Sequence, residues 1–128
     1  MKFGYTLLFV EDVAQTAQFY EKAFGLKIGF VAESGFYIEM DTGSTKLGFV
    51  SENFAQAGGI DFQENRMQNK APGFELTFTT QDVMQAYATA VEAGAIPIAA
   101  PTAKPWGQTV AYVKDLSGIL VSLCTPMA

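Results

Sequence analysis

The sequence predicts an α+β protein made of two βαβββ modules in tandem, and three observations carry that prediction. First, Phe9-Val10-Glu11-Asp12-Val13-Ala14-Gln15 returns seventy positions on as Thr79-Thr80-Gln81-Asp82-Val83-Met84-Gln85, an internal repeat of the kind that marks a duplicated structural unit. Second, each copy runs from a β-type stretch through Asp-Val into a helical pattern that closes on a glycine, Gly25 and then Gly94. Third, each half is only about sixty residues long, too short to bury a good core alone, so the two are expected to form one domain with a site between them.

The first module (about 1–52) opens on Tyr5 to Val10, an alternating run rich in β-formers. Asp12 through Phe24 then puts Val13, Ala17, Tyr20 and Phe24 on one helical face, with Asp12 as its N-cap. Leu26 to Ala32, Phe36 to Met40 and Thr45 to Val50 read as three short strands, the last two separated by the turn Asp41-Thr42-Gly43-Ser44. The second module (about 72–126) follows the same order. Phe74 to Thr79 is a strand, Asp82 caps a helix to about Ala93, Ile96 to Ala99 is a short strand, and Thr109 to Lys114 and Ile119 to Cys124 flank the turn Asp115-Leu116-Ser117-Gly118. The joining stretch, about 51–72, is polar and varied and reads as a loop: either a cover over a site or a surface connection anchored by Phe54, Ile60 and Phe62.

Composition is that of an ordered domain, with 49% hydrophobic, 13% aromatic and 16% charged residues among 128. The net charge of -5 and a single arginine, Arg66, argue against a nucleic-acid partner, which needs clustered cations. Cys124 is the one cysteine, so no internal disulfide is expected. With no apolar stretch of export or membrane-spanning kind, a cytoplasmic protein with no membrane partner is the expectation. The chain has no histidine, which removes Ser–His and Cys–His nucleophile pairs from consideration.

These residues resemble the vicinal oxygen chelate superfamily, which includes glyoxalase, bleomycin-resistance proteins and extradiol dioxygenases. The resemblance covers essentially the whole chain. It rests on Phe9-Val10-Glu11-Asp12-Val13 with Phe19-Tyr20 and Phe24-Gly25-Leu26, and on Thr79-Thr80-Gln81-Asp82-Val83 with Glu92-Ala93-Gly94. Trp106-Gly107-Gln108 through Val113-Lys114-Asp115-Leu116-Ser117-Gly118 completes it. It implies paired modules whose strands form a curled mixed sheet around an open cleft, and, in many relatives, a homodimer.

In the metal-dependent relatives a divalent ion is held by one residue from the first strand and one from the last strand of each module. Carried onto this sequence, the first-strand positions are Tyr5 and Glu75 and the last-strand positions are Gly48 and Ser122. Only Glu75 is a good ligand type, because such ions favour imidazole and carboxylate donors while a neutral phenol and a hydroxyl bind poorly. No metal and no other cofactor is therefore expected.

Strand alternation predicts what lines the cleft instead. Glu75, Thr77 and Thr79 face it from one strand, with Phe74, Leu76 and Phe78 turned under the helix. Tyr5, Leu7 and Phe9 are their counterparts, Lys46 and Val50 flank Gly48, and Leu120 and Cys124 flank Ser122. Such a lining suits an organic ligand with a flat apolar body and a cationic or hydrogen-bonding group.

Glu75 stands out, since a carboxylate on an apolar concavity is either paired or used. It forms a salt bridge with Lys46, accepts from a ligand amine or hydroxyl, or acts as a general base with a pKa raised by desolvation. Tyr5 either stacks on a ligand or packs in the core. Trp106 leans over the cleft mouth or serves packing alone, and Arg66 either reaches an anionic group or stays solvated. Cys124 reads as buried and inert. The favoured function is a metal-independent binding protein of the glyoxalase/bleomycin-resistance type holding a small organic ligand. The alternative is a lyase, isomerase or dioxygenase-type enzyme of the same superfamily, using Glu75 as base or a non-standard metal site. A third class, a structural partner domain, has no specific patch to support it.

Overall fold

The computed structural model describes residues 1–127, and the chain divides into two compact units, Met1–Glu64 and Asn65–Ala128. The first unit contains β1 (Tyr5–Val10), α1 (Val13–Phe24), β2 (Lys27–Val31), β3 (Tyr37–Asp41), β4 (Lys46–Ser51) and α2 (Glu52–Ala57). Its four strands form a sheet in the order β1-β4-β3-β2. The second unit contains β5 (Glu75–Thr79), α3 (Val83–Glu92), β6 (Ile96–Ala103), β7 (Thr109–Lys114) and β8 (Leu120–Cys124), with the sheet order β5-β8-β7-β6. In each sheet the first strand pairs parallel with the last, and the remaining pairs are antiparallel. Both units are thus open mixed sheets of the βαβββ kind expected from the repeat.

Local chemistry explains the starts and stops. Asp12 accepts from the Gln15 amide at 2.9 Å and Asp82 from the Gln85 amide at 3.1 Å, so the two repeated aspartates cap α1 and α3 in the same way. Gly25 ends α1 in the left-handed conformation, φ 68°, with its N–H on the Glu21 carbonyl. Val13, Ala17 and Tyr20 are buried as the helical spacing predicts, and Tyr20 packs at a tilt against Phe49 of β4 with ring centroids 4.8 Å apart. At the β7–β8 turn the buried Asp115 accepts from the amides of Ser117 and Ile119 at 2.8 and 2.9 Å. Gly118 completes that turn at φ 84°, pressed against the Arg66 carbonyl.

Three expectations need correction. The 51–72 stretch is not all loop, because Ser51 accepts from the Phe54 amide and starts the short helix α2. Phe54 stays half exposed and stacks on Phe36 at 4.5 Å, Ile60 is exposed, and Phe62 packs on Phe9 at 4.8 Å. Strand β6 runs on to Ala103 and does not stop at Ala99. It is an edge strand with two irregularities in its pairing, a setting in which Pro97 and Pro101 cost no ladder bond. Finally, Phe74 precedes β5 and is 44% exposed, while Leu76 and Phe78 do turn inward. No helix among the described residues is long and apolar enough to cross a membrane.

Candidate functional site

The second unit carries a cavity of about 300 Å³ on its open sheet face. Its floor comes from three adjacent strands: Glu75 and Thr77 of β5, Ser122 and Cys124 of β8, and Val110 and Tyr112 of β7. Register explains why they meet, since Thr77 lies opposite Ser122, Ser122 opposite Tyr112, and Cys124 opposite Val110. The β6–β7 turn adds Lys104, Trp106 and Gln108.

Glu75 is the centre of a hydroxyl network. Tyr112 reaches across β8 to donate to its Oε1 at 2.9 Å, Thr77 donates to Oε2 at 2.8 Å, and Ser122 donates to Thr77 Oγ1 at 2.8 Å. Desolvation pushes the carboxyl up, but the hydroxyl network outweighs it, Thr77 and Tyr112 donating directly and Ser122 standing behind Thr77, and holds Glu75 below its ordinary value. The same bond, with partial burial and the neighbouring charge, raises the Tyr112 phenol. Of the readings open for Glu75, a base with a raised pKa does not fit this direction, because hydrogen bonds to the charged form win over desolvation. A salt bridge from Lys46 is replaced as well, since Lys46 pairs with Asp41 at 3.4 Å.

The cavity's aromatic wall is fixed by Gln108. Trp106 is 60% exposed, and its Nε1 donates to Gln108 Oε1 at 2.8 Å. The Gln108 amide nitrogen is in turn anchored on the Thr125 carbonyl at 2.7 Å and reaches Cys124 Sγ at 3.5 Å. Cys124 is free and buried, as the sequence predicts. Arg66 does not line this cavity; its guanidinium turns back to the Asn65 carbonyl at 2.8 Å.

The corresponding face of the first unit is built differently. Tyr5 and Leu7 are exposed on β1, but Phe9 is covered by Phe62. Gly48 is not open either. The Tyr37 ring lies over it and donates its hydroxyl to Glu39 at 2.6 Å. Burial first, then the Glu39 bond and charge, push the Tyr37 phenol far above its ordinary value.

This geometry tests the metal positions within each unit. Glu75 already accepts hydroxyls on both oxygens, Ser122 donates its proton to Thr77, and Gly48 has a phenol where a ligand side chain would stand. No group of three or more His, Cys, Asp or Glu able to hold an ion exists among the described residues. The residues present do not fit a divalent metal.

Glu75, Thr77, Trp106 and Ser122, all expected from the sequence, are brought together. Tyr112, Gln108 and Lys104 were missed. Tyr112 was in reach of the parity rule, had it been applied to β7 from the Ser122 position. Gln108 and Lys104 lie in a turn, where alternation carries no signal.

Solved structures share the architecture. A glyoxalase-related enzyme from Fulvimarina pelagi is 18% identical with a TM-score of 0.83, over 98% of this chain and 88% of that one. A glyoxalase/bleomycin resistance protein/dioxygenase family enzyme from Burkholderia phytofirmans PsJN is 21% identical with a TM-score of 0.78, over 98% of both chains. A superfamily member from Sphaerobacter thermophilus is 19% identical with a TM-score of 0.72, again over 98% of both. No curated protein sequence matches the chain closely enough to count as a relative. Residues 3–128 match the model of the glyoxalase-like domain, and with the paired βαβββ units this places the chain in the glyoxalase-like domain family of the vicinal oxygen chelate superfamily.

Proposed function

We infer that the protein binds a small organic molecule, without a metal, in the cavity of the second unit. The observation that carries this reading is Glu75, a carboxylate held in its charged form by hydroxyl donors on the floor of a cavity walled by Trp106 and Tyr112. An ionised carboxylate offers about four acceptor positions, and Tyr112 and Thr77 use two of them. Those left meet a ligand ammonium or N–H, while the indole and phenol rings take a flat apolar body. The net charge of -5 favours the approach of cationic molecules over longer range.

The binding reading is preferred to the enzyme reading because the network weakens Glu75 as a base: a carboxyl kept below its usual range takes a proton less readily. A homodimer belongs to the proposal. Each sheet leaves apolar side chains exposed on its outer strand, Phe30 and Val31 on β2 and Ile96 and Ile98 on β6.

Native mass spectrometry on protein purified without added metal tests all parts together. A metal-free dimer carrying an organic adduct, with the adduct lost in Glu75→Gln of unchanged fold, is the expected result. One divalent ion per chain would overturn the metal-free reading. Retained binding with lost turnover in Glu75→Gln would transfer the assignment to catalysis.

A further inference from the structure

We propose that the cavity takes an amphoteric ligand: a flat molecule with a cationic or N–H group for Glu75 and an anionic group for Lys104. This rests on the reading of the cavity as a ligand site and adds the second charge to it.

The geometry of the β6–β7 turn supplies the argument. The Lys104 amide donates to the Gln108 carbonyl at 2.7 Å, and the Gly107 amide donates back to the Lys104 carbonyl at 3.0 Å. Gly107 takes φ 103°, which closes the turn and sets Lys104 beside Gln108 at the entrance to β7. Four residues along the same side of β7 lies Tyr112, which bonds Glu75. At about 3.4 Å per residue Gln108 and Tyr112 stand about 14 Å apart along the chain, and Glu75 lies on β5, beyond the intervening β8. Both charged side chains line the same cavity of about 300 Å³. Trp106 lines the same cavity, fixed by Gln108.

Lys104 also differs from an ordinary surface lysine. It is half-buried, lines the cavity, and forms no ion pair among the described residues. Its ammonium is thus an unspent donor on a side chain lining a cavity that the Glu75 carboxylate also lines. Two opposite charges lining one cavity with Trp106 and Tyr112 select a molecule with both charges over one with either alone.

Trp106 is the sole tryptophan, so the isotope-labelled protein gives one indole N–H resonance, and it reports on this cavity. The probes are para-aminomethylbenzoate, which has both charges, and para-methylbenzylamine and para-methylbenzoate, which have one each. The expected result is that para-aminomethylbenzoate binds about fivefold tighter than either partner, the scale of one solvent-exposed ion pair. In Lys104→Met its advantage over para-methylbenzylamine collapses towards one. If para-methylbenzylamine binds wild-type protein as tightly as para-aminomethylbenzoate, the amphoteric inference falls while the cavity reading stands. If none of the three moves the indole resonance, the cavity reading falls and takes the inference with it.

Discussion

The Tyr37 ring occupies the space that a side chain at position 48 would need. A Cβ added to Gly48 would stand 2.5 Å from Tyr37 Cε1 and 2.6 Å from its hydroxyl, with Leu7 Cδ2 at 2.9 Å. The glycine is there for the tyrosine, and the tyrosine in turn closes on Glu39.

Gly48→Ala is therefore expected to destabilise the protein by about 1–3 kcal/mol, the usual scale of overpacking. Adding Tyr37→Ala should recover part of that loss in denaturant melts. Fully additive losses in the double variant would show that the overlap is not the cause.

Tyr112→Phe removes one of the donors that keep Glu75 charged, so the Glu75 carboxyl should titrate higher, read by NMR of the side-chain carbon. The sign for stability follows from a folded value below the ordinary 4.5. The network's contribution is fully present above that ordinary value and is lost as pH falls through the folded one. Wild type should exceed Tyr112→Phe by about 0.5–1.5 kcal/mol at neutral pH, with the gap closing in acid. On the alkaline side, the raised Tyr112 phenol contributes stability that is present below its ordinary 10.0 and lost as pH rises through its folded value.

Two glycines of similar backbone angle should respond differently to alanine. Gly35 has φ 80° and nothing within 4 Å of an added Cβ, so Gly35→Ala should cost about 1 kcal/mol from conformation alone. Gly118 has φ 84° and the Arg66 carbonyl oxygen at 2.8 Å, so Gly118→Ala should cost at least about 2 kcal/mol. Equal shifts in melting temperature would contradict the close approach at Gly118.

Gln108→Leu frees the Trp106 indole from its acceptor. Faster decay of tryptophan fluorescence anisotropy is expected, together with weaker binding of para-aminomethylbenzoate, because an unfixed wall must be ordered at the moment of binding. Unchanged anisotropy would mean that packing alone holds the ring.

Parity and the repeat were enough to place Glu75, Thr77 and Ser122 together, because strand alternation is local and the repeat aligns the strands of the two copies. What they could not supply is which hydroxyl bonds which carboxylate. Tyr112 reaches Glu75 over an intervening strand, and that depends on the β7–β8 register, set by the Asp115 turn. Lys46 was close enough to the expected site to be read as a partner for Glu75, yet the short β3–β4 hairpin brings it to Asp41. Phe9 had the right parity for an open face and lost it to Phe62, a residue of the connecting stretch that carries no periodic signal.

Strand β8 alternates its obligations residue by residue. Val121, Ser122 and Leu123 are all buried, but Ser122 alone of the three belongs to the cavity network. On the proposed binding function, neighbouring codons answer to unrelated demands, one set to folding and the other to the ligand. Substitutions made together at 75, 77, 112 and 122 would then retune specificity while the positions beside them stay fixed by the core.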